Sequence, residues 1–175
     1  EFMENVVRSA PLHDIGKITV SDVILNKPGR LTEEEYEIMK THAIAGEQII
    51  DKTIKIIPDA DYLVEAKALA GGHHEKWNGK GYPRGLSGED IPLSARIMAV
   101  ADVFDALVSK RCYKEPYSYE KAFSIIEEDA GSHFDPKVAE AFLEAKEEVI
   151  EIAKSFVIRL IKTNTKTRIP PKISI

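Results

Sequence analysis

Apolar residues recur along most of the chain at spacings of three and four, the period of an α-helix with one buried face. Thr32-Glu33-Glu34-Glu35 opens one such stretch as a capping box, in which the Thr32 hydroxyl accepts from a first-turn N–H and Glu35 reaches back. The predicted helix carries Met39, His42, Gly46, Ile49 and Ile50 on one face. A second, starting near Asp59, carries Tyr62, Ala66, Leu69 and His73, so both histidines point toward the core. Residues 97–108 are apolar almost all round except for Asp102 and Asp105 and predict a central buried helix. Ser118 precedes a stripe of Tyr119, Ala122, Phe123 and Ile126. Asp135-Pro136 supplies an N-cap and a first-turn proline ahead of Val138, Phe142, Ala145 and Val149. The pattern predicts an all-α bundle. Six of the ten glycines fall between Gly71 and Gly88 and predict a long loop between helices; such loops in compact domains usually carry function.

Composition narrows the picture. With 43% apolar and 30% charged residues in 175, the chain suits one globular domain, not a disordered one. No apolar run approaches the ~18–20 residues of a membrane span, and the start lacks signal-peptide character, so a cytoplasmic location is expected. One cysteine, Cys112, can form neither an internal disulfide nor a thiolate site, which leaves metal chemistry to His, Asp and Glu. The net charge of −5 is uneven: Arg159, Lys162, Lys166, Arg168 and Lys172 crowd an acid-free tail at 157–175, and the body before it sums to about −10. A body of that charge argues against a long nucleic acid and is compatible with a small anionic ligand. We expect residues 9–156 to form the domain and residues 1–8 to be its start or the remnant of an upstream helix, with Glu1-Phe2 resembling a cloning scar. The tail reads as a linker or vector-derived sequence.

The chemistry concentrates in His13-Asp14 followed by Gly16-Lys17, then His42, the doublet His73-His74, and Asp102. One histidine on an apolar face reads as a hydrogen-bonded core residue. Several imidazoles and two carboxylates converging on one interior are costly to bury without a metal. A sulfur-free set of this kind favours iron or manganese, with zinc or nickel also compatible. A carboxylate beside an imidazole suits bridging, since each oxygen can take one ion. Two ions ~3.5–4 Å apart can activate water and clamp both the phosphoryl and the leaving oxygen of an in-line displacement.

The ordered motifs resemble the HD-GYP domain, the bacterial branch of the HD phosphohydrolase superfamily. They run through Leu12-His13-Asp14-Ile15-Gly16-Lys17, Lys27-Pro28-Gly29, His42 with Gly46, His73-His74-Glu75 and Asn78-Gly79-Lys80-Gly81-Tyr82-Pro83. They continue in Ala95-Arg96-Ile97, Ala101 to Leu107, Arg111 with Tyr113-Lys114, and His133-Phe134-Asp135-Pro136. The resemblance implies an HD-type helical bundle with a glycine-rich GYP loop. It also implies a phosphodiesterase that opens cyclic di-GMP to pGpG, and onward to GMP, at a centre of two or three divalent ions. By matching position, His13, Asp14, His42, His73, His74 and Asp102 are implied metal ligands with Asp14 as the bridge. Lys17 is the implied phosphate contact, and Tyr82, Arg111 and Lys114 the implied dinucleotide contacts. The implied partners include a GGDEF-domain protein reached through the GYP loop, and an oligomer is compatible.

The residues themselves leave alternatives open. Tyr82 can stack on a guanine or anchor its loop by burial. Arg111 and Lys114 are neighbours if the Asp102 helix continues, and otherwise a solvated pair. His133 reads as structural, Asp105 as a hydrogen-bond acceptor, and Arg96 and Glu75 as supports for the ligands. Asn78 stands where many family members have Asp, Cys112 where many have Pro, and Gly71-Gly72 is unusual before the histidine doublet. The family also has an upstream helix with a further histidine ligand, whereas the 12 residues before His13 contain none. The expectation is therefore that one ion is held more tightly than the other, or neither fully, that activity is much reduced, and that an apolar face around Val6, Val7 and Leu12 lies uncovered. Competing readings are a signalling module that binds nucleotide or partner without turnover, and a phosphodiesterase for another cyclic dinucleotide.

Overall fold

The computed structural model describes residues 1–109 and 115–155. Its helices are α1 (Phe2–Ser9), α2 (Asp22–Leu25), α3 (Glu33–Ile56), α4 (Tyr62–Gly72), α5 (Leu93–Val108), α6 (Tyr119–Glu128) and α7 (Pro136–Glu144). Helix continues over 146–155. Two 3-10 turns, Ala10–Leu12 and Ile15–Thr19, join α1 to α2. Among the described residues there is no strand, only isolated bridges at Asn78–Ser87 and Ala130–Phe134. The all-α expectation holds.

The caps explain where the helices start. At α3 the Thr32 hydroxyl accepts from Glu35 N at 3.2 Å while the Glu35 carboxylate accepts from Thr32 N at 2.7 Å. Ser118 caps α6 and Asp135 caps α7. Two apolar clusters result. One joins Val100 and Phe104 of α5 to Ala122, Phe123 and Ile126 of α6, with Phe134 and Ala139. The other joins Ile50 of α3 to Leu63, Ala66 and Ala70 of α4, with Leu12 and Ile15 against it. Helix α4 links the two halves, packing on α1 and α3 at one side and α5 at the other.

Several expectations are corrected. The helix predicted from Asp59 starts at Tyr62, and Gly71 and Gly72 belong to its last turn, so the loop begins at His73. A Cβ on Gly72 would meet Ala95 Cβ at 3.0 Å and one on Gly71 would meet Glu47 Oε2 at 2.9 Å; the glycines let α5 and an ion pair approach closely. Helix α5 is buried on one side only, with Ala101 and Asp105 exposed. It ends at Val108, and Ser109 is extended; Arg111 and Lys114 lie outside the described residues. The face around Val6 is covered rather than open: Val6 is 5% exposed, and the Ser9 hydroxyl donates to Tyr62 O at 2.6 Å, while Val7 alone of that set points to water. The basic tail also lies outside the described residues.

The turn carrying His13-Asp14 is pressed onto α3 at Gly16, where a methyl group would stand 2.5 Å from Gly46 N and 2.9 Å from His42 C. These are backbone atoms and cannot swing away. Gly16→Ala is expected to lose about 3 kcal/mol, or about 6–12 °C in Tm. Gly131→Ala, whose φ is +79° in open space, should lose only the ~1–2 kcal/mol of its backbone conformation. Thermal melts of the two variants check the difference.

Candidate metal centre

Six of the sequence-predicted residues meet at one locus. His13 and Asp14 come from the tight turn between the two 3-10 segments, His42 from the middle of α3, His73 and His74 from the C-terminal end of α4, and Asp102 from α5. Donor atoms of Asp14, His42, His73 and His74 all lie within 4.8 Å of one another. The Asp14 carboxylate is central, and its two oxygens face different neighbours. Oδ1 lies 3.4 Å from His42 Nε2 and 3.7 Å from His73 Nε2. Oδ2 lies 3.4 Å from His13 Nε2 and also meets the Lys17 ammonium. His13 Nε2 is in turn 4.0 Å from Asp102 Oδ1.

Local backbone fixes which ring nitrogen faces inward. His13 Nδ1 donates to Ala10 O at 2.7 Å, His42 Nδ1 to Met39 O at 2.6 Å and His73 Nδ1 to Leu69 O at 2.8 Å. Each acceptor is the carbonyl three or four residues back, so the helical turn itself holds the ring. With Nδ1 protonated, Nε2 presents a lone pair to the centre, the arrangement of a ligating histidine braced from behind.

Electrostatics match that reading at Asp14, His42 and His74. Burial pushes the Asp14 carboxyl up, but contacts from His13 and His73 and the Lys17 ammonium outweigh it and hold it well below the usual carboxylate range. Burial, with the nearby His73 and His42, drives His74 down to about 2, and burial chiefly lowers His42, so both imidazoles stay neutral. Burial opposes protonation of His13 too, but its contact with Asp14 raises it overall.

The donor set fits a divalent metal. Asp14 Oδ1, His42 Nε2 and His73 Nε2 are buried without a hydrogen-bond partner, and an orphaned polar atom of this kind costs about 1–3 kcal/mol. An anionic carboxylate faced by imidazole nitrogens, those of His42 and His74 held neutral, is a cation site by chemistry.

The loop from His73 to Pro92 folds back over this cluster. Glu75, 2% exposed, accepts from Arg84 N at 2.7 Å and Leu86 N at 3.0 Å. Trp77 N and Asn78 N donate to His133 O and Ser132 O, each at 2.9 Å. Asn78 is held at both ends of its amide: Nδ2 donates to Ser132 Oγ at 3.1 Å and Oδ1 accepts from Lys80 N at 3.0 Å. Tyr82 is half-buried and stacks on His74 at 4.7 Å, so it anchors the loop against the cluster. Its hydroxyl is held above the ordinary phenol range, chiefly by burial. His133 stacks on Phe134 at 4.3 Å, away from the cluster, as a structural residue. Arg96 pairs with Asp135 at 2.6 Å, bracing α5 against the α7 cap, and Asp105 accepts from the Ser109 hydroxyl at 3.3 Å.

Sequence reading missed the Arg84–Glu47 ion pair, which ties the loop to α3, and it missed Tyr36 and Lys40, whose groups reach Tyr82. The signal for the latter was their four-residue spacing two to six positions before His42.

An HD domain family signature matches residues 2–138. The chain belongs to the HD domain family, and its ordered motifs are those of the HD-GYP branch. A probable cyclic di-GMP phosphodiesterase of Vibrio cholerae is 51% identical over 155 residues, covering 88% of this chain and 35% of its own length. A cyclic di-GMP phosphodiesterase of Thermotoga maritima is 46% identical over 151 residues, covering 86% and 40%. A 3′3′-cGAMP-specific phosphodiesterase of V. cholerae is 43% identical over 150 residues, covering 86% and 28%. The chain spans about a third of the length of the curated relatives it matches. The crystal structure of a cyclic GMP-AMP specific phosphodiesterase from V. cholerae shares the fold, with a TM-score of 0.50 at 21% identity over 84% of this chain and 38% of that one. Among the described residues no helix is long and apolar enough to cross a membrane.

If the cluster is a metal site, metal must stabilise the fold. Manganese at about 100 times its dissociation constant is expected to add about 2.7 kcal/mol and raise Tm by about 5–10 °C. Chelator should reverse the shift, and Asp14→Ala should abolish it. Differential scanning calorimetry with and without manganese reads this directly.

Proposed function

We propose that the chain is the catalytic domain of a metal-dependent phosphodiesterase that hydrolyses cyclic di-GMP to linear pGpG and onward to GMP. The observation that carries the reading is the division of Asp14: Oδ1 turned to His42 and His73, Oδ2 turned to His13 and Lys17. In this reading His42, His73 and His74 would hold one divalent ion and His13 and Asp102 the other, with Asp14 serving both. Iron or manganese suits the imidazole and carboxylate donors. When bound, such ions supply Lewis acidity to phosphoryl oxygens and lower the pKa of water.

The chain's own groups do the rest. Lys17 holds an ammonium against Asp14, where it can oppose charge that grows on the phosphoryl oxygens as the P–O bond breaks. The braced imidazoles need no reorganisation during the reaction, because backbone carbonyls already fix them. Tyr82, stacked on His74, excludes water from one side and offers an aromatic surface to the substrate. Arg111 and Lys114 extend the reading as dinucleotide contacts at their motif positions. Relatives named for cyclic di-GMP support the substrate class. A second reading, hydrolysis of 3′3′-cGAMP, is favoured by the relative named for that activity.

Incubation with manganese or ferrous iron and separation of the nucleotides is expected to give pGpG and GMP from cyclic di-GMP. Absence of both under either metal would overturn the reading, and faster turnover of 3′3′-cGAMP would favour the second. Asp14→Ala should lose all bound metal. Lys17→Ala should keep it and lower kcat by about 10²–10³-fold. Elemental analysis beside single-turnover rates checks the pair, and loss of metal in the lysine variant would mean that its role is different.

A further inference from the structure

A wall of aromatic and cationic groups stands beside the histidine cluster, and the reaction as described uses only its inner member. Tyr82 stacks on His74. Outside it, Tyr36 meets the Tyr82 ring edge-on, with centroids 6.4 Å apart and planes at 82°. The Lys40 ammonium lies 5.5 Å from the Tyr36 centroid and 5.7 Å from that of Tyr82. Tyr36 and Lys40 are four residues apart on α3, so they share a face on the helix that also presents His42.

A purely structural role explains this wall poorly. Tyr36 is 48% exposed, so much of its ring faces water instead of filling a core. The Lys40 side chain is only 26% exposed although its carboxylate partner, Glu37 at 2.6 Å, is 67% exposed. The cation is drawn in toward the two rings instead of out into solvent, where a simple surface pair is worth little. A free aromatic face beside a positive charge, next to a phosphodiester site, has the chemistry of a nucleotide subsite: purines stack on such rings and phosphates meet such cations.

We propose that Tyr36 and Lys40 form an outer subsite for the half of the substrate that is not being cleaved, with Tyr36 stacking a purine and Lys40 opposing the second phosphate. The proposal rests on the cyclic dinucleotide reading above. Tyr36 and Lys40 are positioning residues and touch no reacting atom. Their contribution therefore falls on dinucleotides and far less on small phosphodiesters, which have no second half.

The test compares two substrates on the manganese-loaded chain: the cyclic dinucleotide that the unmutated chain turns over faster, cyclic di-GMP or 3′3′-cGAMP, and bis(p-nitrophenyl) phosphate. Tyr36→Ala and Lys40→Met are expected to raise KM for the dinucleotide about tenfold more than for the small diester, the size of one lost stack or charge contact, with kcat little changed. Tyr36→Phe and Lys40→Arg should restore most of the loss. Equilibrium affinity for a non-hydrolysable phosphorothioate analogue of the dinucleotide should fall by the same factor. Equal losses on both substrates, or no loss on either, would overturn the subsite while leaving the dinucleotide reading intact. If the unmutated chain hydrolyses neither dinucleotide, the functional reading fails and the subsite falls with it.

Discussion

A carboxylate buried among imidazoles has to be compensated, and the Asp14 side chain sets that requirement for the whole bundle. Its charge is kept by His13, His73 and Lys17 against the cost of burial. Its Oδ1 nevertheless has no hydrogen-bond donor, and neither inward-facing Nε2 of His42 and His73 has a partner. A single water has two hydrogens for these three acceptors, so it would leave either the carboxylate or an imidazole lone pair unmet. A divalent cation serves both at once, and this links the electrostatics of the cluster to its chemistry.

The fold can be understood as the means of holding that geometry. The turn bearing His13 and Asp14 lies so close to α3 that Gly16 has no room for a side chain. Three imidazoles are braced by carbonyls of their own helical turns, so ring orientation follows from helix formation. Helix α4 packs on α3 and α5 together, which brings His42, His73, His74 and Asp102 to one place from three helices. Glu75 then folds the loop back over the cluster through two backbone N–H groups.

Local signals in the sequence were legible where they act locally. The Thr32–Glu35 capping box and the Asp135-Pro136 start are decided within one turn, and the structure has them where the pattern puts them. The inward-facing histidines follow from helical periodicity and the family motifs. Helix ends were harder. Gly71-Gly72 reads as loop by propensity, but close packing against Ala95 and the Glu47–Arg84 pair keeps both residues helical. The cover on Val6 comes from α4, more than fifty residues away, which no local pattern contains. Tyr36 and Lys40 leave only a four-residue spacing ahead of His42 in the sequence, since their significance depends on where the loop carrying Tyr82 lands.

The central claim is that one carboxylate serves two ion sites. A crystal structure of the manganese-loaded chain, with the ions located by anomalous scattering, tests it most directly. The account predicts two peaks flanking Asp14, each about 2.0–2.2 Å from one of its oxygens. One should lie against His42 and His73, the other against His13 and Asp102. A single peak, or two peaks that do not share Asp14, would contradict it.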